Sequence, residues 1–176
     1  VIKCKYNGGD DMKNKYEDAI NLLEDNGIEY ESVKHPPAVT TEDADKFIEG
    51  KIGCRTKTMF MTDQKKRHFY MLVMDDKDRL DMKEFAEIVG EKRVKMASEE
   101  TLFNKLGNEA GVVSPFGLIN DTEKEVQFYF DNAILKEEIM TFHPNVNTET
   151  LFFKTEDLFK MLKNMGYEVH FVDLNK

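Results

Sequence analysis

Apolar side chains recur along this chain in two rhythms, one of three to four residues and one of two, and each switch between them marks a new element. Tyr16, Ala19, Ile20 and Leu23 repeat at helical spacing and Asn26-Gly27 supplies a stop, which predicts a first helix. Ile28, Tyr30 and the residues to Val33 alternate as a strand. After His35-Pro36-Pro37, Thr40 or Thr41 caps a short helix with Glu42, Asp43 and Asp45 in its first turn and Phe47 and Ile48 on its buried side. Thr56 to Thr62 and His68 to Met74 read as a hairpin across the charged turn Asp63 to Arg67. Asp81 with Glu84 starts a helix whose apolar stripe is Leu80, Phe85, Ala86 and Val89, stopped by Gly90. Ser98 caps another that carries Leu102, Phe103 and Leu106 and ends at Gly107. Strands follow at Val126 to Phe130, Ile139 to Phe142 and Leu151 to Phe153. Thr155 then caps a helix with Leu158, Leu162 and Met165, and Val169 to Val172 closes the series. Helices and strands mix, but the central strands come consecutively. That predicts an α+β (mixed α/β) fold with a central, mostly antiparallel mixed sheet flanked by helices.

Length and charge narrow the classes. The 176 residues suffice for one domain with a substantial core and no disulfide framework. The chain begins with Val1, and Met12 opens the first amphipathic segment, so residues 1–11 read as a loose or added arm and residues 12–176 as one domain. No apolar run approaches a membrane span, the start lacks a basic-then-apolar leader, and Cys4 and Cys54 form no Cys-x-x-Cys pair. A soluble protein of the reducing cytoplasm is expected, with no membrane partner. The net charge of −9 argues against a protein that coats DNA or RNA, because such affinity comes from cations displacing counterions. Any RNA contact must therefore be local. Basic residues are interleaved with acids except at Lys51, Arg55 and Lys57 and at the turn Lys65-Lys66-Arg67.

Candidate chemistry concentrates in three places. Gly111-Val-Val-Ser-Pro115 is a loop in which glycine permits close approach to a ligand and proline fixes the exit, so that its amides are held ready. Lys57 lies on an otherwise apolar strand, and alternation puts it on one face with Met59 and Met61, as in a pocket wall. His143 follows a strand and precedes the asparagine-rich Pro144 to Asn147. Histidines 35, 68, 143 and 170 form no short-range ligand pair, so no metal is expected, and no nucleophile elbow or phosphate-binding glycine loop is present. Cys54 has no histidine beside it in sequence and reads as an ordinary small side chain.

Lys57-Thr-Met-Phe-Met61, Gly111-Val-Val-Ser-Pro115-Phe-Gly-Leu-Ile-Asn120 and Phe142-His-Pro-Asn-Val-Asn-Thr148, with His35-Pro36-Pro37, Thr40 and Glu42 before them, resemble the signatures of one superfamily. It is the one that contains YbaK and the prolyl-tRNA synthetase editing domain, and the similarity is nearest to free-standing editing proteins acting on alanyl-tRNA(Pro). The resemblance implies hydrolysis of the ester joining a wrong amino acid to the terminal adenosine of tRNA, with no cofactor. It implies catalytic roles for Lys57, Gly111 and His143. It places Thr40, Met61, Val112, Val113, Ser114, Pro115 and Asn147 around the substrate. The expected partner is a tRNA acceptor end carrying a small amino acid, with prolyl-tRNA synthetase or an elongation factor as helper. Two departures stand out: Glu109-Ala110 precedes Gly111 where relatives often carry proline, and Asn145 follows His-Pro where an apolar residue is common. Cleavage of cysteinyl-tRNA(Pro), a non-catalytic binding domain of the same fold and, more remotely, a metal hydrolase are the rival readings.

Overall fold

The computed structural model describes residues 16–175, so the arm expected at 1–11 lies outside the described residues. In chain order the elements are α1 (Tyr16–Asp25), β1 (Tyr30–Lys34), α2 (Thr41–Phe47), β2 (Cys54–Asp63), β3 (Phe69–Asp75), α3 (Met82–Val89), β4 (Val94–Met96), α4 (Glu99–Leu106), β5 (Val126–Asp131), β6 (Ile139–Phe142), β7 (Glu149–Lys154), α5 (Thr155–Asn164) and β8 (Val169–Val172), with short 3-10 turns at Pro115–Asn120 and Asn132–Ile134. Helix boundaries follow the capping chemistry. The Thr40 hydroxyl accepts from Asp43 N–H at 3.1 Å while the Asp43 carboxylate accepts from Thr40 N–H, a reciprocal capping box. Asp81 and Ser98 cap α3 and α4, and Gly90 and Gly107 end them in the left-handed region. The start of α5 differs from expectation: Lys154 occupies the cap position and Thr155 is the first helical residue, because its hydroxyl donates back to the Glu137 carbonyl.

The strands run β1-β7-β6-β2-β3-β5-β8, with β4 also on β2. Four pairings are antiparallel (β1–β7, β6–β7, β2–β3, β2–β4) and three parallel (β2–β6, β3–β5, β5–β8), a mixed sheet as the pattern predicts. β4 was not foreseen, since three residues are too short to show alternation. One sheet face carries Phe60, Met71, Val73, Phe128 and Phe130 under Ala19 and Leu23 of α1, Leu102 and Leu106 of α4, and Leu158, Met161 and Leu162 of α5. The opposite face carries Met61, Tyr70, Leu72 and Met74 under Phe85 and Ala86 of α3. No helix among the described residues is long and apolar enough to cross a membrane.

One irregularity of the sheet positions everything that follows. β6 pairs with β2 only at Cys54 and Arg55, whereas β4 pairs with it only from Met61 to Asp63, after Ala97 N–H reaches the Phe60 carbonyl at 3.0 Å. Between these two neighbours the edge of β2 runs without a strand beside it among the described residues. The sheet forks there, and the slot opens into a cavity.

Candidate functional site

The cavity has a volume of about 350 Å³ and lies where β2, the Gly111 loop, the end of β6 and α2 meet. Lys57, Gly111 and His143, separated by up to 86 positions in sequence, all contribute to its wall, together with Val113, Thr41, Asp45, Thr56, Thr58 and Asp76. Because the slot interrupts the sheet, residues from both faces of β2 reach the same space.

The loops are fastened before any ligand arrives. Gly111 has φ +89, a conformation that L side chains rarely adopt, and a Cβ there would meet no atom within 4 Å, so the space beside it is open. The Gly111 loop and the His143 loop are tied by Asn145, itself at φ +63, whose Oδ1 accepts from the Ser114 hydroxyl at 3.1 Å and from Asn108 Nδ2 at 3.2 Å. Asn145 thus braces two site loops against each other. Asn147 fastens a third segment: its carbonyl accepts from Ala38 N–H at 3.0 Å and its Nδ2 donates to the Ala38 carbonyl at 3.2 Å. His35 is held by Thr148 and Thr150 and stacks on Phe47 at 5.2 Å between ring centres.

His143 donates its Nδ1–H to the Glu149 carbonyl at 3.0 Å, since a carbonyl can only accept. That bond leaves Nε2 with its lone pair, and burial holds the imidazole pKa below its ordinary value, so the ring is neutral at physiological pH. The Lys57 ammonium donates to the Asp78 carbonyl in the turn after β3. Asp76 sits beside Asp45, and its carboxyl is pushed up to about 7, first by burial and then by the hydrogen bond and charge of Asp45. One Asp76 oxygen is buried without a partner among the described residues. Burial also pushes the Cys54 thiol up to about 12, which leaves it protonated and a poor nucleophile.

The other sequence-derived candidates fall elsewhere. Thr40 caps α2, and its neighbour Thr41 faces the cavity instead. Met61 shares a strand face with Lys57, as alternation predicts, but is fully buried against the α3 side of the sheet. Ser114 and Pro115 are buried at the base of the loop, and Val112 and Asn147 stand outside the cavity lining, whereas Val113 belongs to it. Asp45, Asp76 and the Thr56–Thr58 edge were missed by sequence reasoning. Asp76 left a trace in the run Asp75-Asp-Lys-Asp78 that ends an apolar strand; the slot left none. At the far end of the hairpin, Asp63, His68 and Glu91 bring ligand-type atoms within 4.8 Å of one another. Asp63 there accepts from the Arg67 and His68 amides, and Glu91 accepts from Tyr70, so these oxygens serve to clasp the turn.

The model of the aminoacyl-tRNA editing domain matches residues 35–161. Prolyl-tRNA editing protein ProX of Acetoanaerobium sticklandii is 32% identical over 155 residues, covering 88% of this chain and 94% of that protein. Prolyl-tRNA synthetase associated domain-containing protein 1 of Bos taurus is 28% identical over 153 residues, covering 85% and 89%. Among solved structures, a proposed trans-editing enzyme for prolyl-tRNA synthetase superposes with a TM-score of 0.71 at 20% identity, covering 92% of this chain and 96% of that one. A hypothetical protein superposes with a TM-score of 0.74 at 16% identity, covering 90% and 99%.

Proposed function

Because this chain belongs to the family of aminoacyl-tRNA editing domains, we propose that it is a trans-editing deacylase that releases alanine from mischarged alanyl-tRNA(Pro). The observation that carries the reading is the convergence of Lys57, Gly111 and His143 on one small cavity. An aminoacyl ester is already reactive, and the neighbouring ribose hydroxyl polarises it further, so positioning and charge stabilisation are the main needs. Water adds to the ester carbonyl; the tetrahedral oxyanion collapses, the ribose oxygen leaves with a proton, and free amino acid and tRNA are the products. Lys57, released from the Asp78 carbonyl, offers a positive charge to the oxyanion or to the adjacent phosphate. His143 in neutral form shapes the side-chain end of the cavity.

Selectivity in this reading is steric. A cavity that accepts a methyl group excludes the proline ring, whereas one methylene more or less changes binding by only about 1–3 kcal/mol, so serine and glycine esters are cleaved slowly. The same small pocket accommodates a cysteinyl ester, the second substrate in contention.

Side-by-side hydrolysis of alanyl-, cysteinyl-, seryl- and prolyl-tRNA(Pro) tests the proposal. Alanyl-tRNA should be cleaved fastest and prolyl-tRNA spared, with activity persisting in a chelator. Lys57→Ala should lower kcat/KM by about 10²-fold, the scale of one lost oxyanion contact, with the fold unchanged. Faster release of cysteine reassigns the substrate, and equal hydrolysis of prolyl-tRNA refutes editing. Tight binding of charged tRNA without any cleavage would make this a recognition domain.

A further inference from the structure

The slot in the sheet leaves the N–H and C=O of Thr58, on two successive peptide units of β2, aimed into the cavity with no strand among the described residues to meet them. Asp76 N–H donates to the Arg55 carbonyl at 2.9 Å and Asp63 N–H to the His68 carbonyl at 3.3 Å, so the odd-numbered residues of β2 turn their backbone groups toward β3. The Phe60 carbonyl, which accepts from Ala97, shows that the even-numbered residues turn theirs toward the opposite edge. Thr58 is even-numbered and lines the cavity. The β6 register stops at Arg55 and the β4 register begins at Met61, so neither strand reaches the outward N–H and C=O of Thr58. Thr58 is only partly buried, and a backbone donor and acceptor side by side on a cavity wall, engaged by neither neighbouring strand, are free to bond a ligand in place of water.

We propose that the bare backbone N–H and C=O of Thr58 are the subsite that grips the aminoacyl group, through its main-chain-like atoms. In a hydrogen-bonded antiparallel pair, one residue's N–H and C=O exchange bonds with the C=O and N–H of a single residue opposite. An aminoacyl ester carries that same pair of groups at the same covalent spacing: an α-ammonium and an ester carbonyl on one α-carbon. The α-ammonium donates to the Thr58 carbonyl, the ester carbonyl accepts from the Thr58 N–H, and the substrate docks as a one-residue extension of the interrupted sheet. As the carbonyl becomes an oxyanion, the Thr58 N–H stays bonded to it and strengthens. The grip ignores side-chain identity, so the walls around Val113 and His143 are left to choose the side chain. This subsite rests on the deacylase reading and names how that reaction holds its substrate.

Three measurements test it, and they separate its failure from failure of the deacylase reading. Amide hydrogen exchange of the free protein should show Thr58 exchanging at least about 10²-fold faster than Lys57 and Met59, whose amides face β3. Adding a non-hydrolysable 3′-alanylamido adenosine should slow Thr58 exchange at least about tenfold and leave Met59 unmoved. Thr58→Pro removes the outward N–H at an unpaired edge where proline is tolerated, and Thr58→Val controls for loss of the hydroxyl, so kcat/KM on alanyl-tRNA should fall about 10²-fold for proline and not for valine at an unchanged circular dichroism spectrum. Wild-type protein should cleave a propionyl ester, which lacks the α-ammonium, at least about tenfold more slowly than an alanyl ester after correction for spontaneous hydrolysis. A Thr58 amide as protected as Met59 in the free protein, no protection by the analogue, a folded Thr58→Pro variant with full kcat/KM, or equal handling of alanyl and propionyl esters would each overturn the proposal. Should Thr58→Pro fail to fold, the exchange and ester comparisons still decide. Protection of Thr58 by the analogue in a protein that cleaves no ester supports the subsite and overturns the deacylase reading alone.

Discussion

Replacing Asn145 should loosen the site and the fold together, and the size of the effect can be worked out bond by bond. Its Oδ1 accepts from Ser114 and Asn108, which are 0% and 1% exposed, and its backbone holds φ +63. Asn145→Ala leaves two buried donors without that acceptor, at about 1–3 kcal/mol each. Asn108 keeps its 3.3 Å bond to the Val112 carbonyl and belongs at the low end of that range. Forcing alanine into the left-handed region adds about 1 kcal/mol. A loss of about 3–4 kcal/mol is therefore expected from urea denaturation at constant m. Asn145→Gly removes the conformational part and should recover about 1 kcal/mol, whereas Asn145→Asp keeps both the acceptor and tolerance of positive φ and should be the mildest. Deacylation rates should fall in the same order, because the same bonds hold Gly111 against His143. An alanine variant within about 0.5 kcal/mol of wild type, or a glycine variant as stable as the aspartate one, would refute the bracing role.

Two further outcomes follow from buried acids. Folding raises the Asp76 pKa to about 7 from an unfolded value of about 3.9, so the stability contributed by its neutral form is fully present below about pH 4 and is lost as pH rises through about 7. The group is only partly buried, and screening reduces the effect to about 1 kcal/mol; Asp76→Asn should abolish that loss between pH 5 and 8 in urea titrations, and an unchanged pH slope would count against it. Tyr167 buries its hydroxyl against Asp121 Oδ2 at 2.8 Å. Tyr167→Phe should lower the urea midpoint by the equivalent of about 1.5–3 kcal/mol, and an unshifted midpoint would show that the Asp121 carboxylate is satisfied by the Glu125 and Val126 amides and the Lys105 ammonium without it.

Strong local patterns made much of this legible from sequence. The β2–β3 hairpin, the capped helices α2, α3 and α4, and the two-faced alternation of Lys57, Met59 and Met61 are written in nearest-neighbour chemistry. Parallel pairing of β3 with β5 and of β5 with β8 is set by distant segments and leaves no local mark. The same holds for the site. Gly111 and His143 announced themselves through their prolines, whereas Asp45 read as an ordinary first-turn acid, and only its approach to Asp76 gives it a second meaning. Thr58 is chemically silent as a side chain. The role proposed for it rests on where two neighbouring strands stop.

The cations singled out near the start of β2 are all engaged within the protein. Lys51 pairs with Glu31, Arg55 donates to the carbonyls of Gly53, Ile48 and Lys51, and Lys57 donates to that of Asp78. Of the three only Lys51 is neutralised by an acid, and on a chain of net charge −9 the two cations left can displace little of the ion atmosphere of a polynucleotide. Its Michaelis constant for charged tRNA should therefore climb only gently with added potassium chloride, and a spent tRNA is left with little more than the Lys57 charge to hold it.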